Sequence, residues 1–454
     1  MKKPYCFQKY PLSRPNGDAG KVGFSQLSAE KGEQGKFLPV AVFSVILTLF
    51  RMASSFLVTK VIAVNLGPSG VAMLGQLQSF ASAANGIVSA PVGNGVVKFT
   101  AAHYEIGVES CAPWWRAALF IFLAMVIPIV LGLVSTASLF SVWLFGHEDF
   151  AWKVSILAVG LPLAGINTFI SSVINGQQNF RRYISLNIYS VAFGLAVTMC
   201  LIWAEHLDFA LLAAASSSAL GGLVMLLSNL RSSWVTPKVL IGKVEKEKLK
   251  QVSGFVAMAL TSAIFAPVTV IIIRKMLAAR LGWDAAGTWQ ATTRVSEAYL
   301  AIVMLILNIY YLPRLSKLNC HKAMLNVVIS TAKILMPMVG IGAVLIYVFR
   351  DIAISLLFTE DFRGARELFS AQLIGDFLKI LSWLFAYTML ARGAYRWYMA
   401  SEVIFSASFV GLSYALLHWF SLKGVVAAYG LNYAIYLSVL VFKLRRLASE
   451  SPNK

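Results

Sequence analysis

The sequence predicts an all-α integral membrane protein of about twelve transmembrane helices, arranged as two six-helix bundles related by an axis along the membrane normal. Three observations carry this prediction. Runs such as Ala117 to Gly146 and Val154 to Phe180 contain no Asp, Glu, Lys or Arg, and each exceeds the roughly 20 residues that cross about 30 Å of hydrocarbon. The connections between apolar runs alternate between basic and non-basic. One register, 215 residues long, repeats along the chain.

Composition sets the solvent: 58% of the 454 residues are apolar, 13% are charged, and the mean hydropathy is +0.72, values that few soluble domains reach. A net charge of +19 would suit nucleic acid, but no soluble domain is left to carry such a surface. In a membrane chain, basic clusters fix orientation instead. Cys6, Cys111, Cys200 and Cys320 fall in expected cytoplasmic segments or within a helix, so no structural disulfide is expected.

From the start of the chain, residues 1–37 are polar and rich in Gly, Lys and Ser, and read as a disordered cytoplasmic tail. The apolar run that follows is too long for the core of a signal peptide and stays as the first span. Spans are then expected near 38–64, 71–98, 117–142, 154–177, 184–204 and 209–230. A basic cytoplasmic linker, 231–252, leads to a second set near 253–280, 286–312, 324–349, 367–390, 399–418 and 424–444. The bundles are thus 38–230 and 253–446, and 447–454 is a cytoplasmic tail.

Orientation follows from charge. Every second connection is basic: Arg181 and Arg182; Arg231, Lys238, Lys243, Lys246, Lys248 and Lys250; Arg314, Lys317 and Lys322; Arg392 and Arg396. These should be cytoplasmic, and NLGPSG, GHEDF, EHLD, GWDAAG and the mixed stretch 350–367 should face outward. Both termini are then inside. The repeat sets Lys60 on Lys275, Leu66-Gly67 on Leu281-Gly282, Arg181 on Arg396, Tyr183 on Tyr398, and Arg231 on Arg446. Parallel repeats of this kind place a substrate between the halves, where rocking opens it to each side in turn.

The candidate site is read from charges inside the spans, each of which costs at least about 2.5–3.5 kcal/mol at a helix centre. Arg51, Arg294, Glu297, Asp376 and Lys379 lie nearest the expected midplane. Positions three apart share a helix face, so Arg294 with Glu297 and Asp376 with Lys379 read as two acid–base pairs of one polar lining, or as pairs that simply neutralise themselves at helix contacts. Lys60, Lys275 and Lys98 lie near span ends, where snorkelling competes with a cavity role. Arg274 and Lys275 are adjacent, so one of the two should face the cavity. Lys333 stands alone. Leaving aside Lys98, seven cations against two carboxylates give +5 within the spans, a balance that suits an anion; arginine's planar fork matches phosphate oxygens. No GxxxxGK[ST], no HExxH and no metal-ligand spacing occurs, so any energy should come from a gradient. Trp114-Trp115, Trp283 and Trp419 read as interfacial anchors.

The segments GTWQATTRVSEAYLAIVMLILNIYYLPRLSKL (287–318), LIGDFLKILSWLFAYTMLARGAYRWYMASEVIF (373–405) and LGPSGVAMLGQLQSF (66–80) closely resemble the Wzx-type flippases of O-antigen and enterobacterial common antigen. The resemblance covers nearly all of 38–446. It implies the V-shaped fold of the multidrug/oligosaccharidyl-lipid/polysaccharide exporter superfamily and a location in the bacterial inner membrane. It implies transfer of undecaprenyl-pyrophosphate-linked sugar units from the cytoplasmic to the periplasmic leaflet, coupled to H+ or Na+ with no other cofactor. O-antigen polymerase and chain-length regulator are the implied protein partners, alongside membrane lipids. By the same resemblance Arg294 and Lys379 bind the headgroup and Glu297 and Asp376 couple the ion, with Arg51, Lys60, Arg274 and Lys275 carried over less directly. Relatives usually begin a few residues before the first span, so the tail is a departure. A multidrug antiporter would favour an acidic, aromatic cavity, and a polymerase or ligase acting on the same lipid would carry a larger outer loop than 350–367.

Overall fold

The computed structural model describes residues 22–316, 318, 321–392 and 395–450, and among them there is no strand. The first half of the chain contains α1 (Val22–Ser89), α2 (Asn94–His103), α3 (Val108–Ser135), α4 (Ala137–Phe145), α5 (Ala151–Gly176), α6 (Phe180–Trp203), α7 (Leu207–Ala215) and α8 (Ser217–Asn229). A short α9 (Pro237–Leu240) follows. The second half has α10 (Lys246–Leu281), α11 (Trp283–Ile306), α12 (Leu312–Ser316), α13 (His321–Val348), α14 (Arg350–Leu357), α15 (Phe369–Ala391) and α16 (Tyr395–Glu450). A π-helical stretch, Leu307–Tyr311, joins α11 to α12. The order of lengths recurs: α3 with α4 matches α13 with α14, and α5 matches α15.

Nine segments among the described residues are long and apolar enough to cross a bilayer, or ten if α7 and α8, bent 67° at Ser216, count as one. The fold is therefore all-α and multi-spanning. That is fewer than the twelve expected, and two of the segments are long helices with non-helical residues inside them. In α1 the break is Gly67, with φ 64° and ψ −162°. In α16 it is Ser421, with φ 55° and ψ −141°. At the second break a Cβ on Gly424 would lie 2.1 Å from the carbonyl oxygen of Leu416. Residues eight apart along a straight helix are about 12 Å apart, so the chain doubles back here.

Gly67 has a counterpart in Gly282, which separates α10 from α11 at φ 88° and ψ 165°. Positive φ is open to glycine at little cost, and the sequence repeat puts glycine at both corners.

The apolar packing has two main centres. One, at the Gly67 end, joins both halves: Ile62, Leu74 and Leu77 pack with Ile271, Phe358 and Phe362. The other, in the first half, contains Trp115, Phe169 and Trp234. Trp115 is wholly buried and donates from Nε1 to Thr100 Oγ1 at 2.8 Å, and Trp114 is 8% exposed. These two rings are core, not the interfacial anchors expected of them. Trp419, 78% exposed, has the exposure that role requires. Ile334, Ile341 and Val348, spaced by seven along α13, are exposed and form one outward stripe.

The ends depart from the sequence reading. Residues 22–37, expected in a disordered tail, have helical backbone continuous with α1, and α16 runs to Glu450, past the expected end of its bundle. Residues 1–21 and 451–454 lie outside the described residues. The basic linker is not a free loop: Trp234 is 3% exposed, Arg116 donates to the carbonyls of Val239 (3.0 Å) and Lys238, and α10 already begins at Lys246. Cys111 is buried and Cys200 exposed, both as free thiols; Cys6 and Cys320 lie outside the described residues.

Candidate functional site: a cationic seam between the halves

The seam is built where the arm of α1 after Gly67 crosses α11. Without hydrophobic drive between apolar helices, close approach of backbones supplies the packing, and small residues permit it here. A Cβ on Gly287 would lie 1.9 Å from the carbonyl oxygen of Pro68, and one on Gly75 would lie 2.8 Å from the amide carbon of Gln290. At the Gly67 end, the Ser69 N–H donates to Asp284 Oδ1 at 3.1 Å across exactly one repeat, 215 residues.

Arg274, on α10, is 1% exposed. Its Nη1 donates to Gln76 Oε1 at 2.6 Å, and Nη2 and Nε donate to Gln290 Oε1 at 2.5 and 3.2 Å. Both terminal nitrogens also reach Ser79 Oγ at 3.5 Å. A buried guanidinium needs acceptors for its five N–H groups, and neutral amides from both halves provide them. The sequence reading placed Arg274 among the cavity cations; here it is enclosed and its guanidinium is engaged, tying α10 to α1.

Arg294 lies one helix away and half-buried. Its Nη2 donates to Gln78 Oε1, and its Nε is buried without a partner. Glu297, one turn further, is exposed. Among the described residues no ion pair within 4 Å joins it to Arg294.

Asp376 on α15 is wholly buried. Tyr299 donates to Oδ2 at 2.5 Å, Tyr429 to Oδ1 at 2.7 Å, and Gln372 Nε2 to Oδ1 at 3.3 Å. Lys379 turns instead to rings: its Nζ sits 5.3 Å from Trp383, 5.5 Å from Tyr429 and 5.4 Å from Tyr433. The two expected acid–base pairs therefore share faces without forming salt bridges. Positions three apart differ by about 60° around the axis, enough to send one side chain into a helix contact and leave the other beside it.

Lys60 and Lys275 occupy matching places at the Gly67 end. Lys60 Nζ donates to the carbonyls of Ser355 (2.9 Å) and Phe358, at the end of α14 in the other half. Lys275 Nζ lies 5.8 Å from the ring of Trp143 on α4, again in the other half. Trp143 and Phe358 are themselves one repeat apart, so each lysine reaches across to the same place. Arg51, exposed, donates from Nη2 to Asn187 Oδ1 at 2.5 Å. Lys333 is exposed beside Ile334 on α13. Among the described residues no group of three or more His, Cys, Asp or Glu could hold a metal ion.

The family of polysaccharide biosynthesis proteins matches residues 41–319, more than half of the chain. The chain belongs to that family. The Lipid III flippase of Escherichia coli (strain K12) is 28% identical to this chain over 411 residues, covering 86% of this chain and 94% of its own. Solved structures are similar in fold. A multidrug resistance MATE family transporter of the MOP superfamily in its inward-facing conformation has a TM-score of 0.73 at 15% identity, over 89% of this chain and 96% of its own. The outward-facing conformation of such a transporter scores 0.60 at 15% identity, over 91% and 97%. The resemblance to Wzx-type flippases read from residues 66–80, 287–318 and 373–405 agrees with these matches: over most of its length the chain is similar to a flippase, and in fold to transporters of the MOP superfamily.

The residues around the seam that sequence reasoning missed are uncharged. Gln76, Gln78 and Gln290 accept the arginine hydrogen bonds, and Tyr299, Tyr429 and Gln372 hold Asp376. The signal was available: a side-chain amide inside an apolar span is costly unless bonded, and all four glutamines lie within expected spans. Lys153 was also passed over; it is 2% exposed, with Nζ 2.6 Å from Asp208 Oδ1 and 3.7 Å from the centre of the Phe150 ring.

Proposed function

We propose that this protein is a secondary transporter that moves an undecaprenyl-pyrophosphate-linked O-antigen or related oligosaccharide unit from the cytoplasmic to the periplasmic leaflet of a bacterial inner membrane. The observation that carries the reading is Arg294 on α11, half-buried inside a span with its Nε unpartnered, in a chain of the polysaccharide biosynthesis family. Arg294, with a buried Nε lacking a partner, is the group with capacity left for a phosphate oxygen, and Lys379 adds a mobile charge. Arg51 extends the positive lining, Arg274 supports it from behind, and Lys60 and Lys275 act at the end of the molecule.

In this reading the breaks at Gly67 and Ser421 each divide one long helix into two spans, which makes twelve with the α7–α8 pair counted as one. The spans form two six-helix bundles in a V, with the 231–252 linker and both termini cytoplasmic. The bundles rock about the α1–α11 crossing, and H+ or Na+ at Glu297 or Asp376 competes with the anionic headgroup for the cations. A coupling of about 1–3 kcal/mol suffices for such competition. O-antigen polymerase and chain-length regulator would receive the product.

The test is transport of a fluorescent undecaprenyl-pyrophosphate-linked sugar in proteoliposomes with an imposed ion gradient. Arg294→Ala and Lys379→Ala should each lower the rate at least tenfold with normal insertion; full rates in both would refute the headgroup role. Stimulation by the gradient should vanish in the Glu297→Gln, Asp376→Asn double variant, and its survival there would refute coupling through the carboxylates.

A further inference from the structure

A second feature of the membrane interior, beside the cationic seam and sharing Gln78 with it, is a cavity of about 340 Å³ in the first half of the chain. It lies among α1, α5, α6 and the α7–α8 break. Six hydroxyls line it, from Ser54, Ser55, Ser190, Thr198, Ser217 and Ser218, together with the amides of Gln78, Asn167 and Asn187. Arg51 is the one charged residue in this lining. We infer that this cavity is a saccharide subsite, which takes the pyranose ring attached nearest the diphosphate.

The chemistry of the wall selects the ligand class. A cation is repelled by Arg51. An apolar molecule would leave Ser54 Oγ and Asn167 Oδ1, both buried, without partners, which costs free energy for each. A pyranose offers hydroxyls for these two groups and for the free lone pairs of the other hydroxyls, and a face of C–H bonds for Val58, Val191 and Leu195. The volume is at the lower end of the usual range for small-molecule sites, roughly 300–1,000 Å³, a size for one or two sugar rings and not for a long oligosaccharide.

Two observations mark the wall as a surface for a ligand. Ser54 is 8% exposed and its Oγ has no hydrogen-bond partner, and Asn167 Oδ1 is likewise buried and unbonded. Buried polar groups are nearly always bonded, so such orphans point to an absent partner. Independently, the α7–α8 span is bent 67° at Ser216, with Ala214, Ser217 and Ser218 of the break in the cavity wall. Broken helices inside a membrane are tolerated where their freed backbone groups line a cavity or meet other protein, and such breaks commonly form substrate sites.

Position links the cavity to the cations. Gln78 lines it and also accepts from Arg294 Nη2. A sugar bonded directly to a phosphate held by Arg294 has only to pass Gln78 to enter. The subsite rests on the flippase reading above and adds to it where the first sugar is read.

The experiment compares two probes on the full-length protein in nanodiscs: a prenyl diphosphate without sugar, and the same prenyl diphosphate carrying one hexose or N-acetylhexosamine, tried as a small panel. Two or three net hydrogen bonds of about 0.5–1.5 kcal/mol each correspond to a sugar preference of about tenfold or more. Gly194→Val projects into the cavity, and the nearest atom to a new Cβ there is 3.9 Å away, so it should fill the subsite without disturbing the helix. It should abolish the sugar preference while the sugar-free probe binds as before. Ser54→Ala should reduce the preference severalfold with the melting temperature unchanged or raised. A preference that persists in both variants overturns the subsite and leaves the flippase reading intact. Failure of the wild type to bind either probe overturns the flippase reading, and the subsite with it.

Discussion

Replacement of Lys60 by methionine, which keeps the stem and removes the charge, should loosen the Gly67 end of the seam. Lys60 Nζ donates to two carbonyls at the end of α14, where the helix dipole adds to the attraction for a cation. Hydrogen bonds from a charged group are each worth about 1.5–3 kcal/mol when buried. One of these two is exposed, so about 1–3 kcal/mol in all is the reasonable figure. If the contact exists only while this end is closed, its loss shifts the closed-to-open equilibrium by about 5- to 150-fold. Lys275, which meets the ring of Trp143 at 5.8 Å, makes an interaction of about 0.5–1 kcal/mol and should matter less. Spin labels at Leu139 on α4 and Leu356 on α14, both 70% exposed, report the distance across this end by double electron–electron resonance. Lys60→Met should add a long-distance population, Lys60→Arg should suppress it, and Lys275→Met should give a smaller one. An unchanged distance distribution in Lys60→Met would show that the lysine does not hold the halves together.

Gly287→Ala places a methyl 1.9 Å from the Pro68 carbonyl oxygen and should destabilise by about 3 kcal/mol or more through forced separation of the helices, whereas Gly254→Ala, with nothing within 4 Å, should be neutral; thermal unfolding in detergent compares them. Gln290→Leu removes the oxygen that accepts two of Arg274's N–H groups and should cost about 3 kcal/mol, read from the same melts, with Arg274→Leu, Gln290→Leu together less damaging than the sum. Glu367, exposed and 2.7 Å from Lys423, has its carboxyl pKa lowered by the hydrogen bond and charge of that lysine. A lowered folded-state pKa stabilises above the ordinary value near 4.5 and is lost as pH falls through the folded value. Glu367→Gln should therefore flatten the acid limb of stability below about pH 4.5, and high salt should do the same; an acid limb identical in wild type and variant would remove the pair from consideration.

The spans and the repeat were legible because hydropathy and glycine corners are local signals: Leu66-Gly67 and Leu281-Gly282 announce the same turn twice, and the structure makes it twice. The midplane charges were legible as positions but not as partners. Arg294 and Glu297 share a face, yet Arg294 reaches Gln78 on another helix, because a long side chain in a packed seam is decided by the neighbouring helix and not by spacing along its own. Asp376 shows the same limit: its partners Tyr299 and Tyr429 lie 77 and 53 residues away. Lys60 is a third instance. Its place near a span end suggested snorkelling as readily as a cavity, and only the tertiary contact with α14 distinguishes these from a bond between halves.

Ser69 faces Asp284, and Gly75 faces Gln290, each one repeat away from itself. At such points the chain meets its own image. Two identical halves would set aspartate against aspartate or glutamine against glutamine there, a repulsion in one case and a collision in the other, while two glycines would leave a gap. A twofold contact must be self-complementary, and a donor opposite an acceptor, or a small residue opposite a large one, satisfies it only by breaking the symmetry. The line along which the halves touch most closely is thus where they are least free to remain alike, and an ancestral single-repeat form rebuilt from either half would have to resolve these two positions before it could pair with a copy of itself.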